Sequence, residues 1–267
     1  MASPWIAALV ALFAWWFSTG AILVVVRHAD RLGPAAHRLT VALGLPLLAA
    51  GLWGLFVTQH QTTVPAAYAG FAAALAVWGW IEMAFLSGVI TGPNRRFCPP
   101  AAPEWERFLR AWGTIAYHEM LLIACAIAAG LAAVEAEHGF GLWTFIVLFF
   151  ARVSAKLNLF FGVRKIHTEF LPRPLSHLPS HFRIRQMTWA FAVSVTLITL
   201  ALGCWLERLA AARSPAEQVG FALLAAITAL ALLEHWLMVL PLPDERLWRW
   251  MLPKPADRRP PATPGAS

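Results

Sequence analysis

The sequence predicts an all-α fold: a polytopic membrane bundle of about seven transmembrane helices, with the N-terminus outside and the C-terminus cytoplasmic. Three observations predict it. Hydrophobic residues make up 59% of the 267 positions while charged residues make up 13%, far from the mix of a soluble domain. Seven apolar stretches have the roughly 17–25 residues a helix needs to cross a hydrocarbon core. The basic residues fall on alternate loops, as the positive-inside rule requires.

The spans are read in order as 5–26, 39–57, 66–90, 108–134, 140–163, 187–206 and 216–240. The first has no basic leader, is too long for a signal-peptide core, and is followed by Arg27 and Arg31, so it is expected to remain as a mature helix. The second contains Gly44, Pro46, Gly51 and Gly54, which weaken a helix; in a membrane, neighbouring helices rescue such positions, so a kink is expected and not a break. The third carries Glu82, the fourth His118 and Glu119, the fifth Arg152, Lys156 and Asn158, and the seventh Glu234 and His235. The sixth carries no such charge within its apolar limits. After the seventh, residues 244–252 alternate Trp248 and Trp250 with Arg246 and Arg249, the pattern of an interfacial segment that meets anionic lipid. Residues 1–252 are therefore expected to form one membrane domain, and the Pro-rich, polar residues 253–267 a disordered cytoplasmic tail.

Orientation rests on seventeen of the 21 basic residues. Arg27, Arg31 and Arg38 follow span 1; Arg95, Arg96, Arg107 and Arg110 follow span 3; Arg164, Lys165, Arg173, Arg183 and Arg185 follow span 5; five more lie in the tail. The loops on the other side hold only Arg208 and Arg213. The formal net charge of +7 is thus a topology signal, and no basic, aromatic-interleaved surface domain exists to bind nucleic acid.

Three cysteines, two within spans and Cys98 in a loop, make no disulfide framework. No zinc-ribbon spacing, glycine-rich phosphate loop or nucleophile elbow occurs, so soluble-enzyme templates fail.

The chemistry lies in the intramembrane charges, because charge at membrane depth must be paired, neutralised or wetted. At 1.5 Å per residue, Glu82, Glu119, Arg152, Lys156 and Glu234 fall about 9 to 16 Å from the basic ends of their spans, one common layer. Arg152 and Lys156 share a helix face at i,i+4 and repel unless anions sit opposite. The three glutamates are expected to face the interior and supply those anions, either as a network fixing helix packing or as a ligand site. His118-Glu119 and Glu234-His235 carry metal-ligand types, but adjacent helical residues diverge by about 100°, and the Glu-x-x-His spacing of di-iron bundles is absent. No metal site is therefore assigned; one histidine alone suffices as axial ligand to a haem or chlorin. The loop after span 5 holds His167, Glu169, His177, His181, Arg183 and Arg185, with Pro172, Pro174 and Pro179 excluding a long helix. It is either solvated or a docking surface for a partner subunit or acidic pigment precursor.

The strings WIEMAFLSG at 80–88, TGPNRR at 91–96, ARVSAKLNLFFGV at 151–163, TEFLP at 168–172 and SHFR at 180–183 resemble the PuhE-type photosynthetic complex assembly proteins, the photosynthetic complex assembly protein 2 family. The likeness covers most of the membrane region and weakens in the tail. It implies a non-enzymatic, multi-pass protein of the bacterial inner (intracytoplasmic) membrane. Its implied partners are reaction-centre or antenna subunits, with bacteriochlorophyll or a precursor as an implied pigment. The family supplies no catalytic motif to transfer. A secondary transporter using the Glu/His/Arg/Lys layer, or a membrane metalloenzyme acting on a porphyrin or isoprenoid, remain the alternatives; the absence of an internal repeat weighs against the transporter.

Overall fold

A computed structural model describes residues 2–240 except 137, 167, 169 and 170. The interfacial segment at 244–252 and the tail at 253–267 lie outside the described residues. Eight α-helices occur among those described: α1 (Pro4–Leu32), α2 (Pro34–Leu43), α3 (Leu45–Thr58), α4 (Val64–Leu86), α5 (Glu104–Ala132), α6 (Phe140–Phe161), α7 (Trp189–Ala210) and α8 (Pro215–Leu237). With α2 and α3 taken as one span over Pro34–Thr58, seven are long and apolar enough to cross a membrane.

Local sequence sets the helix ends. Prolines sit in the first turns of α1, α2, α3, α4 and α8, where no intrahelical N–H is lost. Thr63 caps α4, and Ser214 with Glu217 forms a full capping box on α8. Between α1 and α2 the chain turns at Gly33, φ +100°, a conformation open to glycine. The interruption between α2 and α3 is one residue long, Gly44, so the second span is kinked and continuous. Pro46 has no N–H to donate back to Ala42, and at the adjacent carbonyl, that of Val41, the Trp80 indole of α4 donates at 3.0 Å, so the kink takes a hydrogen bond from a neighbouring helix.

Helices α4 and α8 form the centre. Of their most apolar stretches 67% and 56% are buried, against 22% or less for the other five spans, so the outward faces of those five are the lipid-facing surface. The central helices approach closely where side chains are small: a Cβ on Gly141 of α6 would lie 3.0 Å from the Gly70 carbonyl of α4, a backbone-on-backbone crossing that only glycine permits. The core continues along the bundle from Ala7, Phe71 and Leu223 through Val77, Ile81 and Phe145 to Phe85, Leu175 and Leu178.

The loops after spans 1, 3 and 5 meet on one end, the basic end, and build a cap. Asp30 of α1 pairs with His37 of α2 at 3.1 Å and accepts the Arg173 backbone N–H at 3.2 Å. Cys98 N–H donates to Ser180 Oγ at 2.9 Å. Arg107, buried, donates to the carbonyls of His181 (2.8 Å) and Phe160 (3.0 Å). Helices α1 and α5, each 29 residues or about 43 Å long, extend beyond the hydrocarbon thickness and end in this cap. Among the described residues of the loop after span 5 no α-helix forms, and its prolines sit in or beside the 3₁₀ turns Arg173–Leu175 and Leu178–His181.

Candidate functional site

The intramembrane layer is organised by α6. Residues 152 and 156 share one face and residues 154 and 158 the opposite one, since two helical steps rotate by about 200°. The charged face meets α4 and α5. Arg152 Nη2 donates to Glu82 Oε2 at 2.9 Å, and Lys156 Nζ donates to Glu119 Oε1. The polar face meets α7 and α8. Asn158, fully buried, donates to Ser194 Oγ at 2.8 Å and to the Ser154 carbonyl at 3.0 Å. Ser154 Oγ and His235 Nε2 are 2.8 Å apart, and His235 Nδ1 lies 2.7 Å from the Ala231 carbonyl. A carbonyl can only accept, so Nδ1 carries the proton and Ser154 donates to Nε2.

Glu82, His118, Glu119, Asn158 and His235 are all buried. His118 and Glu119 both enter the interior despite their divergent directions, because α4 and α6 flank α5 on adjoining sides: His118 packs on the Phe85 ring at 4.5 Å between centroids, while Glu119 reaches Lys156. Lys156 Nζ also stands 5.5 Å from the Phe85 ring centre, within cation–π range. Glu82 Oε1 and His118 Nε2 are 3.7 Å apart, beyond hydrogen-bonding distance. Neither atom has another hydrogen-bond partner among the described residues, nor does Arg152 Nε. Hydrogen-bonding capacity is thus left over at the point where α4, α5 and α6 converge.

Two expectations need correction. Glu234 does not face the interior as Glu82 and Glu119 do; it is exposed on α8, where the Trp15 side chain hydrogen-bonds its carboxylate and Arg152 acts on it electrostatically. Its neighbour His235 takes the inward direction, and one helical step prevents both from doing so. The second correction is depth. α4 ends at Leu86 and not at residue 90, so Glu82 is about 6 Å from the helix end. Residues 87–90 turn back instead, with the Val89 and Ile90 N–H groups on the Ala84 carbonyl.

The path of the chain beyond that turn was not legible in the sequence. Residues 91–94 run against the middle of α5: His118 N–H donates to the Thr91 carbonyl at 2.9 Å, Asn94 N–H to Gly113 O at 2.9 Å, and Asn94 Nδ2 to Arg110 O at 2.9 Å. A Cβ on Gly92 would overlap the Gly113 carbonyl. The TGPNRR string therefore positions His118 by direct backbone contact. Its Gly-Pro-Asn composition signalled a turn but not the partner. Ser154, Ser194, Trp15 and the Asp30–His37 pair were likewise missed; of these, only Asp30, an acid at the end of an apolar span, carried a signal of its own.

In the loop after span 5, His167 and Glu169 lie outside the described residues. His177 and His181 are buried, so they face the interior of the cap and not a docking partner. Burial holds both imidazoles below the ordinary histidine range. Arg183 pairs with Glu104, and Arg185 is the exposed member. Among the described residues no three His, Cys, Asp or Glu side chains come together as a metal site. All three cysteines are free thiols.

The chain is 54% identical over 257 residues to a Rhodobacter capsulatus protein described as an uncharacterized 30.4 kDa protein in the puhA 5′ region, covering 96% of this chain and 94% of that one. No solved structure matches it. A family described as protein of unknown function (DUF3623) matches residues 1–259. With that match spanning nearly its whole length, the chain belongs to the DUF3623 family.

Proposed function

We propose that this protein is a non-enzymatic integral membrane assembly factor for the bacterial photosynthetic reaction centre or antenna complex. Its basic cap and C-terminus lie in the cytoplasm, and the membrane is the bacterial inner (intracytoplasmic) membrane. The observation that carries the scaffold reading is the pairing within the layer. The Arg152–Glu82 and Lys156–Glu119 contacts tie α4, α5 and α6 together, as a rigid platform needs and a substrate-carrying path does not. The photosynthetic reading is supported by the R. capsulatus relative, whose puhA-region description carries the same puh designation as the PuhE-type family the sequence resembles. Reaction-centre or antenna subunits are the proposed protein partners, bacteriochlorophyll or a precursor the proposed pigment, and anionic lipid the partner of the basic end. A proton path is the second reading, favoured by the unspent Glu82 Oε1 and His118 Nε2 atoms. The discriminating experiment is mild-detergent purification of the tagged full-length protein from photosynthetically grown cells. Co-purifying reaction-centre or antenna polypeptides are expected. Stoichiometric iron or manganese without any such polypeptide would overturn the proposal.

A further inference from the structure

Away from the charged layer, α5 stands off from α3 and α6 in the half of the bundle opposite the cap and leaves a cleft of about 430 Å³, within the range of small-molecule sites. One wall is an alanine face of α5: Ala124, Ala128, Ala129, Ala132 and Ala133. Phe56 of α3 and Phe145 of α6 oppose it. The α5 wall from residue 124 to 133 runs about 13.5 Å. The cleft is therefore long and one-sided, a groove along the alanine face of α5 and not a round chamber. An extended chain fits.

The two ends of the cleft differ. Its deep end, at Val77, Cys125 and Phe145, is apolar; its mouth, at the ends of α3 and α5, carries Thr58, Gln59 and His138. Gln59 is buried and its carbonyl accepts the His138 backbone N–H at 3.1 Å, fixing the histidine at the mouth. His138 is half-buried where it lines the mouth, and its imidazole can donate to or accept from a polar ligand atom there. A polar mouth at the helix ends above an apolar shaft directed toward the bilayer centre reproduces the orientation of a membrane amphiphile.

We propose that this cleft binds the hydrocarbon tail of a membrane amphiphile, with the polar head hydrogen-bonded to His138 at the mouth. The shared chemistry is one tail and one hydrogen-bonding head; an acyl lipid and an isoprenoid alcohol are its two sources. The site is independent of the photosynthetic proposal and does not use the charged layer.

Photolabelling of the full-length protein in nanodiscs tests it, using a diazirine-bearing fatty alcohol, a diazirine-bearing isoprenoid alcohol and a diazirine-bearing alkane without a head. Adducts are expected on residues 124–133 and 52–59. Ala128→Phe should reduce them by about tenfold, the equivalent of losing the burial of two methylenes. Leu131→Phe, on the same helix but 71% exposed, should leave them unchanged. His138→Phe should weaken labelling by the alcohols and not by the alkane. Preference for one alcohol identifies the source, and equal labelling by both assigns the tail class alone. Should Ala128→Phe fail to fold, Ala132→Met narrows the same shaft with a flexible side chain. Adducts spread evenly over lipid-facing helices, or undiminished in a folded cleft-filled variant, would overturn the proposal.

Discussion

Glu82 and Arg152 show how a costly pair is tolerated at membrane depth. A carboxylate left alone in hydrocarbon costs several kcal/mol, and the 2.9 Å contact removes that cost only while both partners remain. Arg152→Leu strands Glu82 and should destabilise the bundle by about 3 kcal/mol, the lower end for breaking a buried pair because the arginine is itself half-exposed. Adding Glu82→Gln should recover much of that loss. Thermal unfolding in detergent checks it: equal losses from the single and double variants would mean the pair is not coupled. The cap makes a different prediction. His177 and His181 are held neutral by burial, so their folded pKa values lie below the unfolded value of about 6.5. Between those limits the unfolded chain binds more protons, so stability falls as pH drops below about 6.5 and is fully present above it. The melting temperature should decline from pH 7.5 to pH 5.5, and more shallowly in His177→Gln/His181→Gln. An unchanged slope in that variant would assign the loss to other groups.

At the scale of elements, the sequence made the spans legible because bilayer thickness imposes a length on each, and it made the kink legible because Gly44 and Pro46 are local. That Glu82 and Glu119 lie beside Arg152 or Lys156 follows from depth, since acids at matching depth are what can answer two cations one turn apart, but which acid meets which cation does not. The contact of residues 91–94 with α5 was hidden because it is made by backbone groups, which every residue carries. Depth is readable from a sequence, but rotation about the axis is not in a helix whose apolar residues lie on every side, which is why the outward direction of Glu234 does not follow from α8's sequence. The 91–94 contact is testable through its tightest point. Gly92→Ala would push a methyl onto the Gly113 carbonyl, and overpacking of this kind typically costs about 1–3 kcal/mol. A lowered melting temperature is expected, with His118 and Asn94 amides losing protection in hydrogen exchange. Wild-type protection of both amides would show that the loop does not rely on this approach.

For the whole molecule, the seven spans and the single basic cap require the loops after spans 1, 3 and 5 to share one side. Reporter fusions after residues 58, 134 and 212 should report the outside, and fusions within 164–186 the cytoplasm. A cytoplasmic signal after residue 58 would reverse the assigned orientation or remove a span. The proposed role makes the larger demand: a scaffold for complex assembly should be needed for the amount of complex, not for the survival of the cell. The measurement that tests this most directly is the near-infrared absorbance of membranes from cells lacking the gene, compared with wild type and with cells re-expressing the intact protein. The account predicts reduced reaction-centre or antenna absorbance, restored by the intact protein. Unchanged pigment–protein bands in the deletion strain, with growth under photosynthetic conditions at the wild-type rate, would contradict it.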